Sequence, residues 1–487
     1  MLAAGVRTVT LDLATQASDS LRRGMHVSAV MRGGTALAFT HTADHLAVTL
    51  DHPSAAGEEV ELVVQYAGVP AGGLEIRPNK YGDRAFFSDN WPNKAHQWLP
   101  TIDHISDKAT MEMDVVAPAH YQVVSNGRLM ETTDLPGERR RTVWRESVPI
   151  APWLYVLAAA RFAVQHVGDY HGTPIETWVF TQDRDAGFSD FAVPTRDVIA
   201  FFSENVGPFS YEKLANVQSD ASGGGMEAAS AIMYNSTSVT GTRSVRWRNV
   251  VIHELAHQWF GDAVTERDWD DVWLSEGFAT YFTLLFIEHA YGHDEFVAGL
   301  RTARQTVIDY DAKTPGVRVV HDNLADMAKV TSPITYQKGA WTLHMLRERI
   351  GDDRFWAGIR DYYAQYRNGS ASTTDFRRAM ERASGQDLAG FFQQWLYRAG
   401  VPRISGTWHW DAAARRVMVD LTQTQPGDVY ELPVEIGITQ ANGAIRVERA
   451  DLTGRSEHFS FAAADEPVSV VLDPNVRLLM AATMERR

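Results

Sequence analysis

The chain has 487 residues, 45% of them hydrophobic and 22% charged, with a formal net charge of −15. That size and balance fit an ordinary folded protein of roughly two to four domains, and the negative charge argues against nucleic acid or an anionic membrane as partners. Cysteine is absent, which excludes a disulfide framework and a thiolate metal site. Any metal must be held by His, Asp or Glu.

The opening stretch, "MLAAGVRTVTLDL", lacks the basic region and apolar run of a signal peptide. The longest apolar stretch, "APWLYVLAAARFAV", contains Arg161 and falls short of the about 20 residues that span a bilayer. We therefore expect no transmembrane segment and favour the cytoplasm of a bacterium. The abrupt start on a strand-like segment leaves export open if a leader precedes it.

Residues 1–168 follow a period of two, as in "HLAVTL" (His45–Leu50) and "VELVVQY" (Val60–Tyr66), with Gly, Pro and Asp clusters between. This predicts an N-terminal antiparallel β domain. Residues 169–402 carry long helical patterns: "TRDVIAFFSENVG", "SVRWRNVVIHELAHQWFG", "DVWLSEGFATYFTLLFIEHAYG", "TYQKGAWTLHMLRERIG" and "DLAGFFQQWLYRAG". Strands return over 403–487, where "RRVMVDL" alternates and Asn442-Gly443 signals a hairpin. The expected fold is α+β and multidomain, with a small β-sandwich at the C-terminal end.

The stretch "VIHELAHQWFGD" (Val251–Asp262) raises the question of function. A helix turns about 100° per residue, so His253 and His257 lie about 40° apart around its axis. Val251, Leu255 and Trp259 occupy another sector, leaving one face to pack and one to do chemistry. Two imidazoles one turn apart suit a single zinc ion, and Glu254 between them can reach water at that ion. By chance such a motif is expected only a few hundredths of a time in this composition. A catalytic zinc needs a third ligand. Glu276, nineteen positions beyond His257 and early in the next apolar helix, would reach the histidines in an antiparallel helical hairpin. Alone, it would read as a first-turn carboxylate favoured by the helix dipole.

With its spacing H-E-x-x-H, eighteen residues, then Glu in "WLSEGFA", the chain resembles the gluzincin zinc aminopeptidases, the aminopeptidase N and leukotriene hydrolase family. Three further stretches carry the resemblance. "QWLPTIDHISDKATMEMDV" resembles the family's first-domain signature, "GGGMEAAS" its G-x-M-E-N motif, and "TYQKGAWTLHML" its Y-x-K-G motif. The resemblance implies a thermolysin-like catalytic domain over 169–402. It also implies one Zn²⁺ per chain and removal of single residues from peptides with a free N-terminus. His253, His257 and Glu276 would be the metal ligands and Glu254 the general base. Tyr336 would be the hydroxyl donor to the oxyanion; in isolation it would read as a buried structural tyrosine. Glu227 would hold the substrate ammonium, beside a main-chain-binding segment of Gly223, Gly224, Gly225 and Met226.

The pattern departs from the family in three places. Ala228 stands where Asn is usual, which affects the amine site. Trp91 stands where Gln or Glu is usual, nine residues before Pro100, leaving Asn90 or Asp89 as substitutes. The large C-terminal helical domain of many members is missing, as in a bacterial short form. A more open cleft, or closure by a second subunit in a homo-oligomer, would follow. Asp262 and Asp271 could orient an imidazole, although a helix-end or solvated role is the simpler expectation. Trp247, Trp259, Trp269, Trp273 and Trp341 are expected in the core, and His289 and His293 on the surface. An endopeptidase is the nearest alternative, opposed by Glu227. An epoxide hydrolase lacks any sign of a fatty-acid tunnel, and an inactive scaffold would not keep all five reactive groups.

Overall fold

The computed structural model describes residues 3–18, 20–322 and 325–487, apart from the side chains of residues 192 and 193. The first two residues of the opening stretch lie outside it. The chain groups into two compact units, residues 1–268 with 366–371, and residues 269–365 with 372–487.

The first unit begins with the expected antiparallel strands. His45–Thr49 lies between Thr8–Asp12 and Phe39–Thr42, and Gly24–Arg32 pairs with Val63–Val69. Alternation decides which residues go inside: Leu46 and Val48 are fully buried while His45 and Thr49 are exposed. They join Leu13, Met25, Val27, Val30, Leu37 and Trp98 in one cluster. Two further antiparallel sheets follow, one built on the long pair Ala109–Pro118 and Arg139–Ile150.

The same unit then departs from the helical expectation. A five-stranded mixed sheet runs in the order Phe162–Tyr170, Thr173–Phe180, Leu214–Ser219, Ala231–Asn235, Gly225–Met226. Thr173–Phe180, Leu214–Ser219 and Ala231–Asn235 pair in parallel. Helix α1 (Arg184–Asn205) connects the first two of these and starts eleven residues before the stretch that reads as helical, with Pro194 inside it. Helix α2 (Val245–His257) carries the histidines and packs Trp247, Val251 and Leu255 inward. After α2 the chain turns into Val264–Glu266, which pairs in parallel with Gly369–Ala371.

The second unit is built around helix α3 (Trp273–Tyr291), which is buried on nearly every side. Helix α4 (His293–Lys313) follows. A single π turn over Ile334–Lys338 leads into helix α5 (Gly339–Ile350). The shorter helices Asp352–Tyr366, Thr373–Ser384 and Ala389–Trp395 complete the helical part. Trp273, Phe278, Tyr362 and Phe376 interlock through ring centroids 4.9 to 6.0 Å apart. The chain ends in a four-stranded sheet and a three-stranded sheet, the expected C-terminal β region. The Asn442-Gly443 turn joins Leu432–Thr439 to Ile445–Leu452, with Gly443 at φ +81°. The α+β, multidomain expectation is therefore met. Among the described residues no helix is long and apolar enough to cross a membrane.

Candidate active site

Helix α2 brings its two imidazoles together edge to face, with ring centroids 4.7 Å apart and planes at 86°. His253 Nε2 and His257 Nε2 are 3.1 Å apart. Two nitrogens on one tetrahedral zinc, each about 2.0–2.1 Å from the ion, stand about 3.3 Å apart, so the pair has the spacing of a shared cation. His257 Nδ1 lies 3.1 Å from the Phe260 carbonyl. A carbonyl only accepts, so Nδ1 carries the proton and the Nε2 lone pair is directed at the shared point. Glu254 is buried between them. One carboxylate oxygen each of Glu254 and Glu227 and one ring nitrogen of His257 all lie within 4.8 Å of one another.

Glu227 arrives on the edge of the five-stranded sheet. Gly225–Met226 pairs on one side only, antiparallel to Ala231–Asn235. The three glycines before Glu227 have different reasons to be glycine. A Cβ on Gly223 or Gly224 would meet nothing within 4 Å, but one on Gly225 would stand 2.0 Å from Glu254 Oε1. Gly225 thus makes room for the carboxylate of Glu254, and its neighbours do not. Met226 and Ala228 are buried beside it.

The second unit places Glu276 in the first turn of α3 and Tyr336 in the π turn. Tyr336 Oη donates to Glu276 Oε1 at 2.7 Å. This meeting depends on two glycines. A Cβ on Gly277 would lie 3.0 Å from Gly339 Cα and 3.1 Å from the Thr335 carbonyl oxygen, so the two backbones come close enough that an added methyl must push its neighbours back by a few tenths of an ångström. π turns commonly mark functional sites, and here the extra residue belongs to the Y-x-K-G stretch. Its lysine is structural: Lys338 is fully buried, and Nζ donates to the carbonyls of Arg398 and Gly400 at 3.0 and 2.9 Å. Burial pushes its pKa down to about 8.

Asp262 and Asp271 both sit at helix ends, one of the two roles expected of them. Asp262 is not solvated but fully buried in the turn after α2, where its N–H donates to the His257 carbonyl at 3.1 Å. Burial, reinforced by the charge of Glu227, pushes its carboxyl well above the usual range. Lys108 Nζ donates to the Asp262 and Ala263 carbonyls at 2.8 and 3.1 Å, and burial pushes its pKa down to about 7. Asp271 accepts from Thr373 N–H and Oγ1, at the start of helix Thr373–Ser384. Asn90 is committed elsewhere: Nδ2 donates to the Tyr155 carbonyl and Oδ1 accepts from Trp98 Nε1. The half-buried Asp89, its pKa raised by burial, is engaged locally too: Oδ1 accepts from Trp91 N–H at 3.3 Å and Oδ2 lies 3.8 Å from Lys94 Nζ. Trp247, Trp259, Trp269, Trp273 and Trp341 are all buried, while His289 and His293 are exposed. Gln258, Ser230 and Asn126, which no sequence signal marks, hold the Glu227 loop.

Comparisons with known proteins place the chain in a family. The peptidase M1 N-terminal domain matches residues 24–154 and the peptidase family M1 domain matches residues 194–395. The chain belongs to peptidase family M1. Glutamyl aminopeptidase of Rattus norvegicus is 27% identical over 365 residues, covering 72% of this chain and 38% of that protein. Probable aminopeptidase 2 of Sulfurisphaera tokodaii is 27% identical over 323 residues, 64% of this chain and 41% of that protein. The chain thus spans about two fifths of the length of these curated relatives. The crystal structure of Legionella pneumophila aminopeptidase A in complex with aspartic acid shares the fold. Its TM-score is 0.81 at 18% identity, covering 99% of this chain and 56% of that one.

Proposed function

We propose that this chain is a zinc-dependent aminopeptidase that hydrolyses the N-terminal peptide bond of peptides with a free amino terminus. The observation that carries the reading is the His253–His257 pair, spaced for one cation, with the Glu254 and Glu227 carboxylates converging on His257. Nitrogen and oxygen donors without thiolate suit a catalytic rather than a structural zinc. His253 and His257 would hold the ion together with Glu276, whose role rests on the eighteen-residue spacing. When bound, Zn²⁺ supplies Lewis acidity, acidifying water and polarising a carbonyl.

The remaining work falls to the chain's own residues. Glu254 takes a proton from the attacking water and returns it to the leaving amine. Glu227 forms a charge-assisted pair with the substrate ammonium, which sets the cut one residue from the amino end. The one-sided strand Gly225–Met226, preceded by Gly223 and Gly224, offers main-chain groups to an extended peptide. Tyr336 Oη rotates from Glu276 Oε1 to donate to the carbonyl oxygen as charge gathers there. The same reading divides the chain into an N-terminal β domain (1–168), a catalytic domain (169–402) and a small β-sandwich (403–487). A cytoplasmic location and self-association belong to the proposal too, and are read by fractionation and light scattering.

An aminoacyl-anilide and an extended peptide, each with its N-acetylated form, test the activity. Cleavage of the free forms alone, abolished by chelation and restored by zinc, is expected. Equal cleavage of free and acetylated peptide would make the chain an endopeptidase. A panel of aminoacyl substrates reads the residue preference. Glutamyl comes first, because the rat relative is named for it.

A further inference from the structure

The loop that carries Glu227 is tied down from two sides by groups the reaction does not use. Gln258 follows His257 directly and is fully buried. Its Oε1 accepts from Ser230 N–H at 2.9 Å, and its Nε2 donates to the Glu227 carbonyl and to Asp262 Oδ2, both at 2.7 Å. The backbone groups fix which way this amide faces, because an N–H only donates and a carbonyl only accepts. On the opposite side, in the turn between two N-terminal strands, Asn126 Nδ2 donates to the Ala229 carbonyl at 2.7 Å. Gly127 N–H donates to Ser230 Oγ, also at 2.7 Å. Ser230 itself sits at φ +63°, a left-handed conformation that a residue with a side chain keeps only when its surroundings hold it. Its carbonyl accepts from Ala215 N–H at 3.0 Å, so N–H, carbonyl and hydroxyl are all engaged.

We propose that Gln258 and Asn126 are positioning residues. They clamp Glu227–Ser230 between the histidine helix and the N-terminal strands, fix where the Glu227 carboxylate meets the substrate amine, and so set the preference for a free over a blocked amino terminus. The proposal rests on the aminopeptidase reading above. Gln258 lies one residue from a metal ligand, but its amide reaches the loop and Asp262 Oδ2 rather than either imidazole. Without that amide Glu227 can shift, because a buried N–H and a buried carbonyl lose their partners.

The test compares the full-length enzyme with Gln258→Met, which keeps the volume, Gln258→Glu, which keeps one acceptor but sets oxygen against the Glu227 carbonyl, and Asn126→Ser. Zinc per chain, kcat and KM are measured on an aminoacyl-anilide, and the rates on a free peptide and its N-acetylated form. Zinc content is expected to stay at the wild-type value. KM should rise about tenfold or more, with a smaller change in kcat, and the free-over-acetylated preference should fall by a similar factor. A purely structural role would reduce the active fraction but leave KM and the preference unmoved. If the Gln258 variants do not fold, Asn126→Ser, on the far side of the loop, carries the same prediction. KM and preference within about twofold of wild type in a folded, zinc-loaded variant would overturn the clamp. A wild-type enzyme with no preference for free amines would instead overturn the parent reading.

Discussion

The two units hold their reactive carboxylates by opposite means. In the first, Glu227 sits on a loop fixed by directional hydrogen bonds from Gln258, Asn126 and Gly127, and its neighbour Glu254 lies in the space left by Gly225. In the second, Glu276 rides on a helix buried nearly all round, and Tyr336 reaches it because the backbones at Gly277 and Gly339 touch. A polar clamp tolerates changes of size but not the loss of a donor or acceptor. A close backbone contact accepts an added atom only by moving the backbone. Each kind of change should therefore damage one unit's site and not the other's.

The largest effect should come from Glu254→Gln, which keeps the shape of the site and removes the carboxylate proposed as the base. Turnover of an aminoacyl-anilide is expected to fall by about 10³-fold or more, with zinc retained. Gly277→Ala should cost about 1–3 kcal/mol of stability in urea unfolding, because the added methyl meets backbone rather than a flexible side chain. Gly225→Ala should leave stability nearly intact, yet lower kcat by about tenfold to a hundredfold by displacing the Glu254 carboxylate. The matched substitutions Gly223→Ala and Gly224→Ala, which meet nothing within the protein, should leave stability within about 0.5 kcal/mol of wild type.

A subtler prediction concerns pH. Glu146 is fully buried and its pKa is pushed up to about 9, by burial first and then by Glu212. A carboxyl raised in the folded state stabilises fully below its ordinary value and loses that contribution as the pH climbs to the folded one. Wild-type stability should therefore fall between about pH 4.5 and 9 relative to Glu146→Gln, whose side chain stands in for the neutral acid. Parallel unfolding curves at pH 5 and pH 8 would contradict this.

The local geometry of the histidine helix was more legible than the scaffold around it. His253, Glu254 and His257 sit within one turn and a half of helix, where spacing alone fixes geometry. The outer β strands were legible because one face is solvated, as at His45–Thr49. Leu214–Ser219 and Ala231–Asn235 were not, because strands paired in parallel and buried on both faces carry no alternation. The first half of α1 was hidden by Pro194, which reads as a breaker. Gln258 and Asn126 gave no signal because their partners are 28 and 103 residues away in the chain. Asp262 is expected at a helix end or in solvent; its helix-end place was legible, but its burial was not, since the Lys108 that donates to its carbonyl is 154 residues away.

The central claim is that His253 and His257 share one zinc ion, and anomalous diffraction from crystals of Glu254→Gln grown with zinc tests it most directly. The account predicts a single strong peak about 2.0–2.1 Å from both Nε2 atoms. A map with no peak between those two rings, while the helix stays folded, would contradict it.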